Sequence, residues 1–222
     1  LDFGTTSGVI NFGEPLMSQQ SIQTVIFANS IKHGQHCVAG KTLDGKYWVR
    51  PVSDSDGKEL THSQAKCRNP HGTFNVKPLQ KVTIGISDHV PLINQPENYL
   101  IDESVWQQNY NIDQHHIIDY LDHPSDLWGT DDRVRYEFIK SGQLVISQSL
   151  YLVQVSSLSL YVSPFDKRRA SFIYDGFKYD LPVTDPSFDA LVQDTSSIRG
   201  ILCISLGEEF EGSCYKLVAT IF

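Results

Sequence analysis

The sequence predicts a mainly β protein built of two small barrels joined by an acidic, partly helical connector. Three observations carry that prediction. Apolar, β-branched runs recur along the chain between turn signals. Two Asp-Gly pairs, Asp44-Gly45 and Asp175-Gly176, each divide a pair of strand-like segments, and a type I′ turn with positive φ at both central residues suits that dipeptide. Ten of the 26 acidic residues fall between Val82 and Asp132, a span without a single Lys or Arg. With 222 residues, 40% of them hydrophobic and 11% aromatic, the chain can fill one large core or two small ones.

Residues 1–16 contain no Lys or Arg and precede the only methionine, Met17. They read as an expression remnant or an unusual extension and are set aside. The first barrel is expected over residues 17–95. Its opening strand is SIQTVIFA at 21–28; residues 36–40 and 47–52 flank Asp44-Gly45. Residues 54–70 are polar and loop-like. A further strand over 81–86 points Val82, Ile84 and Ile86 to the core by period-2 alternation. Four strands of this kind can close a barrel.

The connector is expected over 96–132, with short helices at 97–106 and 113–121. In the second of these Ile117, Ile118 and Leu121 fall at helical spacing, and Pro124 and Gly129 mark a loop. The second barrel then occupies 133–222. RVRYEFI at 133–139 alternates Val134, Tyr136 and Phe138 against Arg133, Arg135 and Glu137. Ser141-Gly142 turns the chain and 143–147 returns; 150–155 and 158–162 add strands. In the hairpin at 170–181 a two-residue loop sets Tyr174 opposite Phe177 and Phe172 opposite Tyr179. Ile173 and Lys178 take the other face. Asp185 as N-cap and Pro186 as first helical residue start a short helix, and strands at 198–206 and 214–222 finish the sheet.

Three blocks stand out: KHGQHCVAGKTLDGKYWVRPVS at 32–53, LPVTDP at 181–186 and SLGEEFEGSCYKLVATIF at 205–222, the last read as a turn followed by a terminal strand. Together they resemble the dual-OB-containing domain family of bacterial proteins, over roughly residues 20–222. The resemblance implies two OB-like β-barrels with short helices in one chain, often in mobile or defence-associated gene neighbourhoods. It implies no enzymatic activity. A strand-rich chain with one short helix between late strands fits an OB-type barrel.

Net charge is −8, which at first opposes binding of a polyanion. The acidic span accounts for it: outside that span 18 basic residues face 16 acidic ones. The residues expected to bind nucleic acid or a nucleotide are Lys32, His33, Trp48 and Arg50 on the first barrel, and Arg168, Arg169, Tyr174, Lys178 and Lys216 on the second. Trp48 and Arg50 share a strand face, suited to a base or an anion and equally to a cation–π pair at a barrel rim. Lys167-Arg168-Arg169 is the only run of three basic residues, beside the aromatic hairpin. Charge that tracks phosphate next to rings that stack on bases serves single-stranded nucleic acid; the alternative places the hairpin aromatics in the core. On the last strand Tyr215 and Lys216 alternate in and out. Ser205 and Glu208 flank Gly207, either as a ligand contact or as a tight turn.

His33, His36 and Cys37, with Cys67 and His71, hold zinc-type ligands, but their spacing matches no finger or ribbon. Adjacent His36 and Cys37 on a strand point to opposite faces, so Cys37 is expected in the core and the histidines where the strand begins. No metal, cofactor or catalytic residue is assigned, since Walker-type, H-E-x-x-H, G-x-S-x-G and kinase patterns are all absent. Four cysteines without framework spacing suggest reduced thiols in a cytoplasmic setting, and no apolar run is long enough for a membrane helix. The expected partner is single-stranded nucleic acid or a nucleotide. The alternative is a basic partner protein, a nuclease or helicase, docked on the connector; neutralising Asp113, Asp119 and Asp122 would then abolish docking and spare nucleic-acid binding.

Overall fold

A computed structural model of the chain describes residues 20–32, 34–195 and 198–222. Its first half contains β1 (Gln20–Lys32), β2 (Gln35–Thr42), β3 (Trp48–Val52), β4 (Lys66–Asn69), β5 (Gly72–Asn75), β6 (Gln80–His89), β7 (Asn98–Ile101) and β8 (Trp106–Asn111). Five of these close a ring in the order β1-β2-β3-β7-β6 and back to β1. The β3–β7 seam is parallel and the other four are antiparallel. Outside the ring, β8 lies against β6 and carries the β4–β5 hairpin. β1 and β2 come so close that a Cβ at Gly40 would sit 2.5 Å from the Val25 carbonyl oxygen.

The second half repeats that order without repeating the sequence. It comprises β9 (Arg133–Arg135), α1 (Tyr136–Lys140), β10 (Leu150–Gln154), β11 (Ser156–Val162), β12 (Arg168–Tyr174), β13 (Phe177–Pro182), α2 (Phe188–Gln193), β14 (Ile201–Phe210) and β15 (Ser213–Ile221). With only Val155 between them, β10 and β11 act as one bent strand, pairing with β14 at one end and β12 at the other. β12 pairs with β13, and β14 with β15. A single parallel bridge, Val183 to Val218, joins the end of β13 to β15. In both halves the third strand therefore lies parallel to the fifth. The first ring is closed and the second is half open, as five-stranded Greek-key barrels of the OB type are.

Three apolar cores explain why several strands are hydrophobic on both faces. Ile26, Val38, Val82, Ile84, Ile86 and Trp106 fill the first barrel. Val153, Phe172, Tyr179, Leu202, Ile204 and Leu206 fill the second. Between them Val25, Phe27 and Trp48 meet Leu150, Leu152, Ile201, Cys203 and Phe222. β1, β10 and β14 each serve two cores at once, which is the demand that produces continuous rather than alternating apolar runs.

Several sequence expectations are corrected. The 97–106 segment is not a helix: it contributes β7 and the start of β8 to the first barrel's sheet. The helix over 113–121 is a short 3-10 helix, Gln114–Tyr120, with Ile117 buried and Ile118 exposed. Only Arg133–Arg135 of RVRYEFI is strand; the chain then turns helical and buries Ile139 in place of Phe138. Residues 143–147 form no strand, while β4 arises within the stretch read as loop and β5 follows just after it. Asp44-Gly45 is not a two-residue turn. Four residues separate Thr42 from Tyr47, and the positive φ, 54°, belongs to Lys46. At Asp175-Gly176 both φ values are positive (47° and 81°), and Tyr174–Phe177 and Phe172–Tyr179 pair as expected. α2 begins at Phe188, two residues beyond Pro186, with the Asp185 carboxylate accepting from the Ser187 amide.

His36 stands at the start of β2, as its second residue, and is buried there. Its Nδ1–H donates to Asn29 Oδ1 (2.8 Å), which leaves Nε2 to accept from His62 Nδ1–H at 3.1 Å. Burial, and next the proximity of His62, lower its pKa from the ordinary 6.5. The unfolded chain thus binds this proton more readily, so stability is full above pH 6.5 and declines as pH falls below it. The melting temperature of the wild type is expected to drop more between pH 7.5 and 5.5 than that of His36→Gln. Equal drops would show that this pair does not sense pH.

Candidate nucleic-acid interface

β12 and β13 turn Ala170, Phe172, Tyr179 and Leu181 into the second core. Their other face, with neighbouring β11, points outward and carries Tyr161 opposite Arg169, and Ile173 opposite Lys178. Asp180 on this face accepts from Tyr161 Oη (2.6 Å) and from Arg169 Nε (3.0 Å). The loop from β11 to β12 closes through hydrogen bonds between Ser163 and Lys167. It holds Phe165 at 84% exposure, beside Lys167. Lys167 and Lys178 are exposed and make no ion pair among the described residues. Exposed ring, exposed cations and an open strand face are thus contiguous in sequence and register.

The other expected binding residues go elsewhere. Arg168 pairs with Asp189 at 2.5 Å and lies over the Phe188 ring. Tyr174 is half-buried, donates its hydroxyl to the Pro124 carbonyl at 2.6 Å, and is pushed up to about 12 chiefly by burial. Its hydroxyl is thereby tied to the loop at Pro124. Lys216 is 0% exposed. Its ammonium donates to the carbonyls of Gly129 (2.7 Å) and Asp131, and burial brings its pKa down to about 8. On the first barrel, buried Trp48 packs on Phe27 and donates Nε1–H to Asp122 at 3.1 Å. Trp48 and Lys216 are in this way structural groups, buried with their polar hydrogens bonded to Asp122, Gly129 and Asp131. His33 lies outside the described residues.

Arg50 and Lys32 come together with residues of β14 and β15 at a cleft of about 470 Å³ between the barrels. Arg50 Nη2 donates to Ser149 Oγ (2.8 Å) and Ser205 Oγ (3.3 Å) and faces Glu97 at 3.5 Å. Lys32 bridges Glu208 (2.9 Å) and Glu59 (3.2 Å). Burial opposes its charge, but the two carboxylates win and its pKa rises. The SLGE segment is strand, not turn; the hairpin turns at Glu211-Gly212, where φ is 50° and 79°. Cys37 lines this cleft half-buried, rather than sitting in the core. Cys67 is buried against Gln80 and His71 is exposed. Among the described residues no three metal-ligating side chains converge, and no helix is long and apolar enough to cross a membrane.

Two five-stranded rings in one strand order, sharing a core, now stand beside a family match: the dual-OB-containing domain spans residues 22–221. The chain belongs to the dual-OB-containing domain family. This dual-OB chain matches no curated protein. Among solved structures, the crystal structure of the tetrameric p202 HIN2 is similar with a TM-score of 0.31 and 9% identity, over 91% of each chain. In the dual-OB chain the exposed loop and face described above are the first-to-second-strand loop and the second-and-third-strand face of its second barrel. The sequence marked Lys178 and Arg169 there but missed Phe165 and Lys167 as a pair. The signal was an aromatic and a lysine flanking Asp166 in a Pro-containing loop.

Proposed function

We propose that this dual-OB protein binds single-stranded nucleic acid without catalysis, using the second barrel's outer β12–β13 face and the loop before it. In OB-type barrels that face and that loop are where oligonucleotides bind. The observation that carries the reading is Phe165, 84% exposed in the loop that holds Lys167 and leads into the strand of Arg169, with Lys178 on the strand paired to it. Leaving a large ring in water is unfavourable unless a partner covers it, and a base offers a flat face for it to stack on. The chain serves in this reading as an accessory or sensor component.

Fluorescence anisotropy with labelled single- and double-stranded DNA and RNA across a salt series tests it. Single strands are expected to bind more tightly than duplexes, with affinity falling steeply as salt rises. Phe165→Ala should weaken binding by about 1–3 kcal/mol. Lys167→Glu with Lys178→Glu should lower the slope of log K against log salt by roughly 0.7 for each phosphate no longer neutralised. An unchanged slope in that double variant would remove this face from the interface.

A further inference from the structure

We infer that the cleft between the two barrels is a separate binding site for a nucleoside, recognised through its base and ribose and not through phosphate. It is independent of the strand-binding reading. The cleft is formed by β1–β3 of one barrel and β14–β15 of the other, the kind of domain interface where small-molecule sites collect. Its volume of about 470 Å³ lies within the range of ligand pockets. Tyr215, Leu217, Ala219 and Ile31 supply apolar wall, which suits a flat heterocycle.

The polar groups choose among ligands. Arg50 lines the cleft and is nine-tenths buried, and its Nε–H has no acceptor among the described residues. A buried donor without a partner is a standing penalty that a ligand acceptor removes, and ring nitrogens and carbonyl oxygens of bases are such acceptors. The carboxylate of Glu208 can accept from ribose hydroxyls, and the hydroxyl of Ser205 lies on the same wall. Phosphate is disfavoured because both cations are already matched, Arg50 by Glu97 and Lys32 by Glu208 and Glu59. Glu209 adds a further negative charge to the lining.

The protein carries its own reporter. Cys37 lines the cleft and is partly exposed, whereas Cys67, Cys203 and Cys214 are buried. The full chain would be treated with methyl methanethiosulfonate, with and without millimolar adenosine, guanosine, cytidine or uridine, and Cys37 modification followed by peptide mass spectrometry. At least one nucleoside is expected to slow modification several-fold, and its 5′-triphosphate to protect no better. Protein already blocked at Cys37, and a Leu217→Trp variant that narrows the cleft, should each bind that nucleoside at least tenfold more weakly by calorimetry. Phe165→Ala should bind it as the wild type does, even where strand binding is weakened. The inference is overturned if Cys37 resists the reagent, if none of the four nucleosides protects it, or if a triphosphate protects better than its nucleoside.

Discussion

Asp122→Ala is expected to destabilise the protein by about 3–5 kcal/mol, the usual loss when one partner of a buried ion pair is removed. Asp122 Oδ1 accepts from the buried Lys41 ammonium at 2.7 Å. Its Oδ2 accepts from Trp48 Nε1 at 3.1 Å and from the Leu152 amide at 2.8 Å. The Asp122 amide in turn donates to the Leu152 carbonyl at 2.7 Å. One carboxylate thus ties β2 and β3 of the first barrel to β10 of the second. Without it Lys41 keeps the Tyr120 carbonyl and the face of the Trp48 ring, while an indole N–H and a strand amide lose this acceptor. Asp122→Asn retains one acceptor oxygen and should fall between wild type and alanine in urea denaturation. Because these hydrogen bonds span both barrels, unfolding should remain a single transition. A change below about 1 kcal/mol in Asp122→Ala would show that the inter-barrel core alone holds the halves together.

That role also limits what charge alone could say about the acidic stretch. Asp113 and Asp119 are exposed and sit beside His115 and His116, as solvated acids do. Asp122, three residues further on, is structural, so neutralising all three together would confuse docking with folding. Nothing in the local sequence separates them, because the partners of Asp122 lie 81, 74 and 30 residues away. For the same reason β8 was illegible. In WQQNYN only Trp106 is buried, and the strand is held by backbone pairing to β6 and β4, which leaves no side-chain period. The hairpin at Asp175-Gly176 was legible because turn chemistry and alternation agreed locally. SIQTVIFA and the strand at 198–206 could be read as strands, but not that one face of each meets the core between the barrels. The binding residues fared unevenly on the same grounds. Arg169 and Lys178 could be placed by register alone, whereas Trp48 and Lys216 were enclosed by distant chain, and Arg50 with Lys32 met the SLGE segment only across the fold.

Lys216→Met gives the sharpest separation between structural and binding lysines. The side chain lies over the Tyr179 ring and donates to the carbonyls of Gly129 and Asp131. Methionine fills the space but leaves the Asp131 carbonyl without this donor; Gly129 keeps the Tyr179 hydroxyl at 3.2 Å. The expected loss is about 1–3 kcal/mol, the penalty for one buried acceptor unmade. Titration gives a second signature. Folding lowers the lysine pKa from 10.5 to about 8, so between those values the unfolded chain holds more protons than the native one. Wild-type stability therefore gains with pH across that window, and the methionine variant lacks this contribution. The gap between them should widen from pH 8 to 10.5 in parallel chemical denaturations. A constant gap would mean that the ammonium is not held against burial. The salt slope for single-stranded nucleic acid should be unchanged in Lys216→Met, where removal of a phosphate partner would have reduced it by roughly 0.7; a reduced slope would place this lysine at the nucleic acid and not in the core.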